Sequence, residues 1–149
     1  MKSLSDELKC LVEDVKCELE KIHEERTGEK HNISSWSKKE ILGHLIDSAS
    51  NNYQRFVRAA LNEADKFPTY DQNRWVAIQN YNEMKWDELI ALYVQLNLHI
   101  SRVLYNMQDD VADNPVNIGK ESPVTLMFVA TDYLRHMTHH LEKILEKKF

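Results

Sequence analysis

Glycine and proline are scarce in this chain, three of each in 149 residues, and the stretches between them repeat apolar side chains with a helical period. That scarcity excludes a sandwich or barrel of short strands and predicts an all-α protein. The two cysteines, Cys10 and Cys17, are too few for a disulfide framework. On one helix their Cα atoms would stand roughly 10 Å apart, beyond an unstrained bridge, so both are expected to be reduced thiols. No apolar run is long enough to cross a membrane. Residues 1–11 read as amphipathic helix instead of a secretory leader, and a cytoplasmic protein is expected. Excess positive charge is missing too. The net charge is -5, with Lys and Arg dispersed among acids, so no basic stripe follows a phosphate backbone and nucleic acid is not an expected partner. There is no His-Glu-x-x-His, no Gly-rich phosphate loop and no Gly-x-Ser-x-Gly, which removes zincin, nucleotide-binding and serine-hydrolase chemistry. Glu-x-x-His on two helices, the mark of a di-iron carboxylate bundle, is also lacking.

What is present suits one compact domain over 1–149, with 42% hydrophobic and 29% charged residues. The first helix carries a stripe of Leu4, Leu8, Leu11, Val12, Val15, Leu19 and Ile22, with the cysteines on its charged face, and Gly28 is placed to end it. Ser37 and Glu40 form a capping box, and Trp36 and Ile41 a hydrophobic staple, for a second helix reaching residue 63. Its stripe is Ile41, Leu45, Ala49, Tyr53, Phe56 and Ala60. A loop over 65–70 with Pro68 follows, then an aromatic crossover over 71–85 with room for one short helix. A third helix is expected over 86–107 and a loop over 109–121. The last helix is expected to start with Ser122 as N-cap and Pro123 at its first position. Four amphipathic helices imply a four-helix bundle, and the long crossover lets the second and third helices run parallel.

The residues that could carry chemistry are histidines. His136 and His140 stand one turn apart on the last helix, and both lie beside its apolar stripe of Leu126, Ala130, Leu134, Met137, Leu141 and Ile144. That is where residues lining a cleft belong; a solvated helix edge is the competing account. His44 has a comparable place on the second helix, and Ser48, Asn51 and Arg55 continue its side as a polar stripe. If that stripe faces a cleft, Asn51 and Arg55 can hold an anionic or polar substrate. Three neutral imidazoles meeting at one point would bind a divalent ion and leave positions open for water or substrate. Asp132, one turn before His136, can accept that ring's second proton. His99 could supply a fourth ligand, His139 is expected at the surface or behind the ligands, and His23 and His31 have no visible partner.

The segment 36–48, the run 51–56, Tyr70, Asp71 and Trp75, and the closing His136 to His140 run together resemble the DinB/YfiT-like superfamily, most strongly its YfiT branch, which includes bacillithiol transferases. The resemblance spans about 33–144. It implies an up-down-down-up four-helix bundle in which His44, His136 and His140 bind one divalent metal, zinc or nickel, often in a homodimer. It also implies a small-molecule substrate and either metal-assisted attack of a low-molecular-weight thiol on an electrophile or hydrolysis by metal-bound water. Lys143 stands where these relatives often carry a further histidine, and the loop before the last helix is short and differently composed. A metal or small-ligand binding protein without turnover, and a helical dimerisation module, are the alternatives.

Overall fold

The computed structural model describes residues 1–63, 67–119 and 122–148. Residue 65, opening the first expected loop, and residue 121, closing the second, lie outside the described residues. Four long helices make the bundle: α1 (Lys2–Leu19), α2 (Lys38–Ala60), α4 (Trp86–Asn106) and α5 (Leu126–Leu145). The short α3 (Gln72–Gln79) lies in the crossover, and β1 (Pro115–Val116) pairs antiparallel with β2 (Val124–Thr125).

Side-chain contacts fix the helix directions. Ser5 Oγ donates to the Ser101 carbonyl at 2.7 Å, and Trp86 Nε1 to the Leu19 carbonyl at 2.9 Å, so the start of α1 meets the end of α4. Lys38 Nζ reaches the Ile144 carbonyl at 2.5 Å and the Phe56 and Tyr133 rings meet at 5.7 Å, so α2 and α5 are also antiparallel. Lys39, buried near the start of α2, donates to the Met84 carbonyl just before α4 at 2.6 Å, which makes α2 and α4 parallel. The order is therefore up-down-down-up. Leu8, Val12, Val15 and Leu19 of α1 meet Leu42, Leu45 and Phe56 of α2, Leu89, Tyr93 and Ile100 of α4, and Met137 and Leu141 of α5 in one buried core.

The second helix starts as its sequence specifies. Glu40 N donates to Ser37 Oγ at 3.1 Å, and Ser37 N to Glu40 Oε2 at 2.8 Å, while Trp36 and Ile41 both pack on the core. It ends at Ala60, short of residue 63, and Asn62 turns the chain with a φ of 57°.

Two boundaries differ from expectation for tertiary reasons. The first helix stops at Leu19, before Ile22 and well before Gly28, and a 3₁₀ turn follows over Glu24–Arg26. The Trp86 indole takes the Leu19 carbonyl, and the Glu24 carboxylate accepts from Trp86 N and Lys39 Nζ, so α4 and α2 hold the chain in its turn. The last helix starts at Leu126 with Thr125 as its cap, Phe128 N donating to Thr125 Oγ1 at 3.1 Å. The Ser122-Pro123 start is displaced because Val124 is extended against Val116.

Candidate metal centre

Antiparallel packing of α2 on α5 brings His44 level with His136 and His140. His44 is fully buried and its neighbours are half-buried. One ring nitrogen from each histidine lies within 4.8 Å of the others, and His44 Nε2 faces His136 Nε2 at 3.2 Å. The three ring centroids are 5.1, 4.9 and 4.6 Å apart. Trp36, whose sequence role was the helix staple, also covers the group, its ring 4.9 Å from His44 and 6.5 Å from His140.

The surroundings keep these imidazoles uncharged. Burial first, then the repulsion that a charge on it would meet from a protonated His136 and from Lys143, hold His44 down to about 4. Burial, then the neighbouring histidines and Lys143, hold His140 down to about 3. His136 is lowered by burial, with the Asp132 carboxylate pulling the other way. Two ring nitrogens facing at 3.2 Å need a proton or a cation between them, and nitrogens that share one ion at about 2.1 Å each come to a similar separation. Among the described residues His44 Nδ1 and His140 Nδ1 are buried without a hydrogen-bond partner, which leaves these rings incompletely satisfied. A neutral three-imidazole donor set of this kind fits a divalent cation.

The other residues singled out in the sequence fall in different places. Asp132 lies near enough to act on the charge of His136, but its Oδ1 accepts from Arg135 at 2.5 and 3.2 Å. His139 is exposed, with its ring 5.3 Å from His140. His99 does not supply a fourth ligand: it is exposed on α4 against the Tyr53 ring, at 5.3 Å. His31 lines a cavity of about 620 Å³ beside Trp36, His140 and Lys143. Arg55 lines a second, of about 270 Å³, with Ser48, Asn52, Tyr70, Tyr133 and His136. Asn51 is not among the residues lining that cavity; its Nδ2 donates to the Asp47 carbonyl at 2.8 Å, and it borders outer grooves with Pro68. Sequence reasoning missed Asp47, buried one turn beyond His44. Its Oδ1 accepts from Tyr81 Oη at 2.7 Å and from Gln79 Nε2, and burial raises its carboxyl. Its signal was faint, an acid directly after the apolar pair Leu45-Ile46 inside a helix.

Known proteins share this fold. The structure superposes on YfiT from Bacillus subtilis, described as a probable metal-dependent hydrolase with an unusual four-helix bundle topology, at a TM-score of 0.82 and 21% identity, covering 95% of this chain and 84% of that one. It also superposes on a mycothiol-dependent maleylpyruvate isomerase at a TM-score of 0.78 and 14% identity, spanning 97% of this chain and 60% of that enzyme. A protein of Oceanobacillus iheyensis provisionally named a metal-dependent hydrolase is 24% identical over 123 residues, 83% of this chain and 70% of its own. A Bacillus licheniformis protein with the same provisional name is 23% identical over 124 residues, again 83% and 70%. The pattern of the DinB superfamily matches residues 13–144, and with a YfiT-like bundle holding three histidines together, the chain belongs to the DinB superfamily.

Proposed function

We propose that this protein is a metal-dependent enzyme in which His44, His136 and His140 hold a divalent cation, zinc or nickel, and that it transfers a low-molecular-weight thiol to a small electrophilic substrate. The observation that carries this reading is that cavities reach the histidines from more than one side. One of about 620 Å³ is bordered by His140, and two more, of about 270 and 650 Å³, are bordered by His136, so two organic reactants can be seated at one cluster, whereas hydrolysis needs only one.

When bound, the cation would stabilise a thiolate or hydroxide near neutral pH. The chain's own residues prepare the site. Burial and Lys143 keep the imidazole lone pairs unprotonated, and Trp36 shields His44 and His140 from water. Arg55 binds the electrophile in the cavity of about 270 Å³ that borders His136, while Asn51 meets substrate outside it, on a groove that Arg55 also lines. In the transfer the thiol proton passes to solvent, sulfur bonds to the electrophilic carbon, and the leaving group departs with the electrons of the broken bond. A homodimer, the oligomer implied by the resemblance, is checked by sedimentation.

Hydrolysis is the second reading, favoured by the names of the two relatives. Zinc- or nickel-loaded protein offered thiols with an aryl halide, and separately esters and amides, distinguishes the two. Thiol-dependent product that disappears with a chelator and in His44→Ala supports transfer. Thiol-independent cleavage with the same dependence replaces transfer by hydrolysis, and no turnover of either kind contradicts the enzyme reading.

A further inference from the structure

We infer that the electrophilic substrate carries an oxyanion, a carboxylate or a phosphate-type group, and that Arg55 binds it in the cavity shared with His136. The assignment rests on the proposed function for what the cavity receives and on Arg55 itself for the charge. Arg55 is half-buried among Ser48, Asn52, Tyr70 and Tyr133. Among the described residues its close contacts are with neutral groups: Nη1 donates to Asn52 Oδ1 at 3.3 Å, and the guanidinium carbon lies 5.9 Å from the centre of the Phe67 ring. Among the described residues no carboxylate lies within ion-pair distance of it. The acid that lines the same cavity, Asp132, is bound to Arg135.

A cation withdrawn from water without a counter-charge is costly, and arginine cannot shed its proton to escape the cost. Burial lowers the Arg55 pKa, yet the group stays charged. A ligand oxyanion removes the penalty, and the planar donor fork matches its two oxygens. The orientation is also prepared. Asn52 Nδ2 donates to the Ser48 carbonyl at 2.9 Å and to Ser48 Oγ at 3.3 Å, which fixes the amide oxygen that receives Arg55. That bond draws the guanidinium back over the preceding turn, toward the His44 end of α2. A substrate anchored there by its anion can extend its reacting carbon toward His136.

The test titrates metal-free protein, at constant ionic strength, with propionate, its uncharged isostere propionamide and inorganic phosphate. Binding is followed by the Arg55 Nε–H resonance, identified by its loss in Arg55→Lys, and by thermal stabilisation. Propionate or phosphate should bind and propionamide should not. Arg55→Gln should weaken anion binding roughly tenfold or more, while Arg55→Lys keeps part of it. Preference between propionate and phosphate tells which oxyanion the site takes. Metal content of Arg55→Gln should equal that of the parent, and His44→Ala should still bind the anion. Arg55-dependent binding in a protein that takes up no metal would sustain this inference while the metal reading failed. No anion binding by the parent, an unmoved Arg55 resonance, equal binding of propionamide, or unchanged binding in Arg55→Gln overturns it.

Discussion

Gly43 matters through the space it leaves. A Cβ at this position would lie 2.1 Å from Tyr81 Cδ2 and 2.3 Å from Cγ, so the ring that carries a hydroxyl to buried Asp47 can sit only over a glycine. In an ordinary helix interior, alanine in place of glycine stabilises by about 1 kcal/mol. Here the sign reverses, because overpacking and the loss of a bond to a carboxylate together cost more. Gly43→Ala should destabilise by roughly 2 kcal/mol in urea unfolding, and a variant as stable as the parent would contradict the packing described. The histidines give a second prediction at this scale. Their pKa values are lowered on folding, to about 4 for His44 and about 3 for His140, from about 6.5 in the unfolded chain. Between those values the unfolded chain binds more protons, so stability is fully present above about pH 6.5 and declines as pH falls toward 4. Asp47, raised by burial, opposes this as one group against three. Metal-free protein should therefore lose urea resistance between pH 7 and pH 5, and an unchanged midpoint would contradict the neutral cluster. The off-stripe positions of His44, His136 and His140 were visible in the sequence. The Gly43–Tyr81–Asp47 contact was not, since a glycine inside a helix does not reveal which distant ring needs its space.

At the scale of elements, local signals were legible wherever the deciding contacts were local. The Ser37–Glu40 box forms as expected, and Ser37 Oγ also donates to Asn82 Oδ1 at 2.7 Å, tying the start of α2 to the crossover. The crossover's short helix also forms, as α3, and a 3₁₀ turn over Tyr81–Glu83 follows it within the same segment. The last helix was misplaced because Ser122-Pro123 is a valid local start, and only the pairing of Val116 with Val124, far from it in type of interaction, moves the cap to Thr125. The difference is measurable. Thr125→Ala should cost about 1 kcal/mol of stability and Ser122→Ala only a few tenths; the reverse order would restore the earlier start. The first helix was overextended for a similar reason. Its stripe continues to Ile22, which does pack on the core, but the Trp86 indole captures the Leu19 carbonyl, and no periodicity within the first segment contains that information.

For the whole molecule, the up-down-down-up order is what makes a site out of separated histidines. The long crossover lets α2 and α4 run parallel, which leaves α2 antiparallel to α5 and sets His44 opposite His136 and His140. The sequence supplied the crossover length and the edge positions, and the family resemblance supplied the order; convergence itself depended on packing. Arg55 and Asn51 show the remaining limit. Both lie on the same polar stripe, but side-chain direction and the Asn51 bond to the Asp47 carbonyl leave only Arg55 among the residues lining the cavity with His136. Because ions that bind only the folded state stabilise it, zinc or nickel should raise the thermal midpoint of the parent and not of a His136→Ala, His140→Ala variant. No helix among the described residues is long and apolar enough to cross a membrane. The most direct measurement is elemental analysis of untagged parent and this double variant after exposure to zinc or nickel. The account predicts about one divalent ion per parent chain and none in the variant; equal metal in the two, or none in the parent, would contradict it.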